Sequence, residues 1–235
     1  MTEPNYTKVE DELFRLHNEI RKNPQSFIPK LKAVLPCFKD KLYQIPDEEP
    51  LQTFEGEEAV NEAIQFLKTQ KPVNELSFNK DISQACKDHV NDIGPKGLTT
   101  HEGSDGKNLS DRIEKYCEWD GAIAENLDFG MKTPENIMLN LLINDGVKKR
   151  FQRNNLFHPE MKYMGLSVGP HKIYKICVVI GYARGIRQFG DQPPDVSEFI
   201  QEYIRSSLNK KEIKNDFQEE EPYAPDNTVS VKIIK

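Results

Sequence analysis

The chain has 235 residues, 37% of them hydrophobic and 30% charged, with a net charge of -6. That length allows one domain with extensions, or two small domains. The acidic balance argues against a nucleic-acid binder, which needs a basic face, and no run of about 18 apolar residues is present to span a membrane as a helix.

The N-terminal run MTEPNYTKVEDELF is polar and acidic, with no apolar signal segment in view. Val9–Lys22 has apolar Leu13, Leu16 and Ile20 at helical spacing. Asn23-Pro24 breaks that pattern, because a residue before proline is pushed out of the α region. A second helix follows with Phe27, Ile28, Leu31, Val34 and Leu35, and Pro36 ends it. Lys39–Phe54 is rich in acid and proline and reads as irregular. Glu57–Lys68 is amphipathic, and Asn79 caps a further helix with Ile82, Ala85, Cys86, His89, Val90 and Ile93 on its apolar face. His89 there reads as a hydrogen-bonded core residue rather than a ligand.

The centre of the chain is His101–Arg112, HEGSDGKNLSDR, followed by AEN at Ala124–Asn126. Gly103 and Gly106 flank Ser104-Asp105, turn chemistry that fixes a backbone. Asn108 or Ser110 can cap the helix that carries Asp111 and Arg112. Ala122–Phe129 reads as a strand with Glu125 and Asn126 inside it, and polar groups in an apolar strand need partners. Two readings stay open: a cleft site built on His101 and Glu125, or a satisfied polar network around a tight turn.

Thr133-Pro134-Glu135 opens a helix to about Asn144 that is apolar on nearly every face. Lys148–Asn155 is a loop or short helical turn, and Met164–Val168 and Ile173–Ala183 are strands, the second read as central and covered on both faces. From Arg184 come a Gly/Pro linker, a helical pattern over Val196–Ile213, the acidic run Glu219–Glu221 and an alternating TVSVKII segment. That last segment has β-propensity and no hairpin mate in its own sequence, which favours adding a strand to another sheet.

From about Glu10 to Ala183 the chain resembles the CAP superfamily, the cysteine-rich secretory, antigen 5 and pathogenesis-related proteins, in its bacterial and protist branch. The resemblance rests on RLHNEIRKNPQSF, LSFNKDISQACKDHVNDIG, HEGSDG with AENL, and DGVKKRFQRNNLFHPEMKYMGLSVG, in that order. It implies an α+β fold: a three-layer α-β-α sandwich with a central, mostly antiparallel sheet, N-terminal helices and a C-terminal helical or extended arm. The corresponding division is 1–183 for the CAP domain and 184–235 for the extension.

The resemblance also implies a cleft of two histidines and two acids that can take a divalent metal. His101 and Glu125 match one half. Gln152 falls at the second histidine and Asn144 at the second acid, with Asp145 adjacent. Neutral amides are poor zinc ligands, so His101 and Glu125 are the only candidates left for a metal, and no cofactor is expected. No catalytic residue is assigned. Ser104 lies near His101, but no GxSxG elbow surrounds any serine. Cys37, Cys86, Cys117 and Cys177 lack CxxC spacing and are expected to be free thiols in a reducing compartment. The resulting expectation is an intracellular, non-enzymatic interaction or scaffold protein, cytoplasmic or on a cytoskeletal or axonemal assembly. It would bind protein partners through the extension, with no nucleic acid and no membrane span. The alternatives are a metal-dependent hydrolase using His101 and Glu125, and a sterol- or lipid-binding protein.

Overall fold

The computed structural model describes residues 6–44, 50–191 and 232–233. Seven α-helices are defined among them: α1 Tyr6–Lys22, α2 Ile28–Val34, α3 Glu57–Thr69, α4 Lys80–Lys96, α5 Leu109–Ile113, α6 Pro134–Ile143 and α7 Phe151–Leu156. The strands are β1 Phe38–Lys39, β2 Leu42–Tyr43, β3 Leu51–Gln52, β4 Ser77–Phe78, β5 Glu118–Phe129, β6 Tyr163–His171, β7 Lys175–Arg187 and β8 Lys232–Ile233.

The main sheet has the order β4-β6-β7-β5, antiparallel except for the short parallel β4–β6 pair. Strand β7 is the centre, and its alternation divides the core. Ile176, Val178, Ile180 and Tyr182 face α1, α2, α3, α6 and α7, while Cys177, Val179 and Ala183 face α4. Helices on both faces make this an α+β, α-β-α sandwich. Helix α4 lies unusually close to the sheet because three strand positions lack side chains. A Cβ on Gly165 would stand 2.2 Å from the Ser83 nitrogen, one on Gly169 2.4 Å from Val90 Cγ1, and one on Gly181 2.7 Å from Ile82 Cγ2.

The segment expected to be irregular, Lys39–Phe54, instead contributes two-residue strands to a second small sheet, order β1-β2-β3-β8. Such short strands carry no periodicity to read. The terminal segment was expected to join another sheet. Its described residues pair with this chain's own β3, Lys232 with Gln52 and Ile233 with Leu51. The Val196–Ile213 helix falls outside the described residues. By compactness the chain divides into one unit of 1–188 with 227–235 and another of 189–226.

Three polar residues on the inner face of α1 tie the layers together. Asn18 brackets Leu76, donating to its carbonyl at 3.0 Å and accepting from its N–H at 2.8 Å. The Arg21 guanidinium is wholly buried and donates to the carbonyls of Asn74, Leu156, His158 and Met161. His17 donates from Nδ1 to the Leu13 carbonyl at 3.1 Å, so Nε2 accepts from the Tyr182 hydroxyl at 2.8 Å.

Burial pushes the His17 pKa down from 6.5 to about 4. As pH falls the unfolded chain takes up this proton first. The histidine's contribution is therefore whole above pH 6.5 and is lost between 6.5 and 4, a swing of about 3 kcal/mol. The melting temperature should fall across that window, and His17→Gln, which keeps an acceptor for Tyr182, should flatten much of the fall. An unchanged pH slope in the variant would count against this account.

Candidate functional site

Residue Glu125 sits on β5 with Leu127 and Phe129, on the α4 side of the sheet. The loop after α4 brings His101 over it, and α5 brings Arg112 beneath. Helix α5 starts at Asn108, whose side chain accepts from the Asp111 N–H while the Asp111 carboxylate accepts from the Asn108 N–H, a full capping box. Leu109, Arg112 and Ile113 then share the buried face of that short helix.

Both carboxylate oxygens of Glu125 are taken. Oε2 accepts from His101 Nδ1 at 2.8 Å, and Oε1 from Arg112 Nη2 at 2.5 Å. Arg112 also donates to the carbonyls of His101 and Lys107, which holds the HEGSDG loop onto the helix. The side chains of Glu125 and Arg112 are 5% and 4% exposed, so this is a buried ion pair, whereas His101 is 31% exposed. Burial alone would raise the Glu125 carboxyl. The His101 hydrogen bond and the Arg112 charge outweigh it and hold the group below its usual range. With Nδ1–H committed to the carboxylate, His101 presents its lone pair at Nε2.

His89 lies under the same group. Its Nε2–H donates to the Thr100 carbonyl at 2.8 Å, which leaves Nδ1 a buried lone pair without a hydrogen bond, and burial pushes its pKa down. Ser104 does not work with His101. Its hydroxyl and its N–H both donate to Asp92, each at 2.6 Å, and Lys96 closes the cluster. That cluster pulls the Asp92 carboxyl down against the effect of its burial.

The other two expected cleft residues make their hydrogen bonds with the backbone. Asn144 adopts a left-handed conformation at the end of α6, and its side-chain oxygen accepts from the Gln152 N–H at 3.1 Å. Gln152, on α7, accepts at Oε1 from the Leu127 N–H at 3.0 Å, and its carbonyl accepts from Asn126 at 2.9 Å. It thus seals the open edge of β5. No hydrogen bond joins Asn144 or Gln152 to His101 or Glu125 among the described residues. Asp145 is spent capping the N–H groups of Phe54 and Glu55. Glu55 and Glu62 in turn anchor Arg150 and Arg153 on either side of Gln152.

The donor set does not fit a zinc ion. One imidazole nitrogen and both carboxylate oxygens are already bound within the protein, and two amides face the backbone. No group of three or more His, Cys, Asp or Glu side chains among the described residues could hold a metal. What the arrangement offers is one oriented imidazole at a half-buried surface, with no serine or cysteine hydrogen-bonded to it among the described residues.

Sequence reasoning placed Arg112 on its helix but gave it no role. The signal was its place beside Leu109 and Ile113, which puts it on the apolar side of α5. Replacing Glu125 by Gln should leave the Arg112 charge buried and unbalanced, a loss of about 3–5 kcal/mol. Chemical denaturation should show it, and a loss under 1 kcal/mol would contradict the pairing.

A sequence model described as CAP, the cysteine-rich secretory protein family, matches residues 14–181. No curated protein matches the chain. Among solved structures, an outer surface protein of Borrelia burgdorferi is 18% identical, with a TM-score of 0.41 over 48% of this chain and 79% of its own. A cysteine-rich secretory protein of Staphylococcus aureus is 11% identical, with a TM-score of 0.42 over 78% of this chain. The match spans only 41% of that protein's length. Venom allergen-like protein 4 of Schistosoma mansoni is 13% identical, with a TM-score of 0.39 over 82% of this chain and 97% of its own.

Proposed function

Because the chain belongs to the CAP, or cysteine-rich secretory protein, family, we propose that it acts as a non-enzymatic CAP-domain interaction module whose tetrad cleft has become structural. The observation that carries this reading is the full occupation of Glu125 by His101 and Arg112. A carboxylate tied on both oxygens is a poor ligand and a poor base. Asn144 and Gln152 support the same reading, since both amides now satisfy backbone groups. A metal-dependent hydrolase would need those positions free.

Partner binding falls to residues 184–235 in this reading, on proteins of an intracellular assembly, cytoplasmic, cytoskeletal or axonemal. The support is compositional: a Gly/Pro linker, an amphipathic pattern and an acidic run follow the family-like region. No helix among the described residues is long and apolar enough to cross a membrane. An apolar cavity lined by Phe38, Tyr43, Leu51, Met131 and Leu139 holds about 30 Å³. That is room for a water molecule rather than a lipid tail.

Two measurements test the proposal. After dialysis against a mild chelator the protein should retain no stoichiometric zinc, and one equivalent found by elemental analysis would overturn the structural role of the cleft. A chain ending at Gln188 should still melt cooperatively, because it keeps all of β7, and the described residues it removes add only the two residue pairs of β8 to the fold. It should lose the proteins that the full chain retains on an affinity column. Unfolding of the shortened chain, or undiminished retention, would assign partner binding elsewhere.

A further inference from the structure

A groove of about 340 Å³ lies between the N-terminal halves of α1 and α4, on the far side of the sheet from Gln152 and β5. Its floor is the open edge of β6. Beyond the two pairs made with β4, this strand turns peptide groups outward with no strand among the described residues to meet them. Two side chains meet the N–H groups instead. Ser83 accepts from the Leu166 N–H at 3.0 Å, and Glu10 from the Val168 N–H at 2.8 Å.

The N–H and C=O of one strand residue point to the same side. The carbonyls of Leu166 and Val168 therefore face the groove as well, and no hydrogen bond from the described residues fills them. The floor is rich in acceptors: two carbonyls and the Glu10 carboxylate. Glu10 is half-buried and accepts from the Val168 N–H, yet it makes no salt bridge among the described residues. Lys87 acts on it only through space, and burial pushes the carboxyl up, as for an anion short of cations. Lys80 and Lys87 line the same groove and are exposed.

We propose that this groove binds a small amino-acid-like zwitterion, its ammonium set on Glu10 and the β6 carbonyls and its carboxylate held by Lys80 and Lys87. An ammonium supplies three donors to a floor that has acceptors to spare. A charge-assisted hydrogen bond to a half-buried carboxylate is the strong kind. The volume falls at the lower end for small-molecule sites, about 300–1,000 Å³, which suits a free amino acid or a dipeptide. The site shares no residue with the His101–Glu125 pair, so it stands apart from the role proposed for that cleft.

The test is a titration of the full chain with leucine and glycyl-leucine, followed by amide NMR shifts, with the N-acetylated forms as controls. Saturable shifts should appear at Leu166, Val168 and Ser83, and N-acetylation should abolish them. Glu10→Gln keeps an acceptor for the Val168 N–H while removing the charge. It should weaken binding at least tenfold with an unchanged melting temperature, and Lys87→Gln should weaken it severalfold. If Glu10→Gln alters the fold, the acetylated ligands decide the matter alone, since they leave the protein untouched. No saturable shift, or equal binding of the acetylated ligands, overturns the proposal.

Discussion

The buried guanidinium of Arg21 is the constraint on which the molecule rests. No carboxylate pairs with it among the described residues, and its charge is spread over the carbonyls of Asn74, Leu156, His158 and Met161. Those carbonyls belong to the segment entering β4 and to the loop leaving α7. One side chain of α1 therefore fixes where the sheet begins and where α7 ends. Taking an ion from water costs several kcal/mol unless its donors are satisfied, and this geometry satisfies them from segments far apart in the chain. Any rearrangement of the loop after α7 would leave that charge exposed to an apolar core.

The position of α7 then decides what Gln152 can bond. Gln152 lies along the edge of β5 because Asn126 and Asn155 hold the helix there, joined to each other at 2.8 Å. Asn126 also reaches the Tyr182 hydroxyl, which donates to His17 on α1. A continuous polar chain thus runs from α1 through two strands to α7. With each member satisfied, such a network gives a core one arrangement in place of several. Asn144 and Gln152 belong to it. Their amides suit that role, because an amide caps a peptide group at any pH.

The helices and the three long strands were legible in the sequence because apolar spacing is a property of the chain itself. The spacing of Ile82, Cys86, Val90 and Ile93 could only be helical, and the run Ile176–Ile180 marked the central strand. Asn79 and Thr133 announced their helices as caps, and both act so, accepting from the N–H groups that follow them. The small sheet was hidden because two-residue strands have no period. The pairing of His101 with Glu125 could be reached from motif order, but Arg112 and Arg21 could not be read as buried from residue type, since arginine is usually outside. Arg21 did follow Leu13 and His17 at helical spacing, along the stripe that faces the core. The bond that the Gln152 amide accepts from the Leu127 N–H depends on the free edge of β5, a fact of topology that no local pattern encodes.

The close seating of α4 has a consequence for the thiols. Cys86, on α4 itself, and Cys177, on β7, are sealed between that helix and the sheet, and Cys117 is buried against α5, each free of a disulfide. Burial raises Cys117 to about 11 and Cys177 to about 12 and lifts Cys86 as well. A thiol that stays protonated and dry is neither a nucleophile for an oxidant nor a partner for exchange. Three of the four cysteines are therefore spectators of redox chemistry, filling space as small apolar groups. Packing at these three positions thus works against both thiolate formation and thiol exchange.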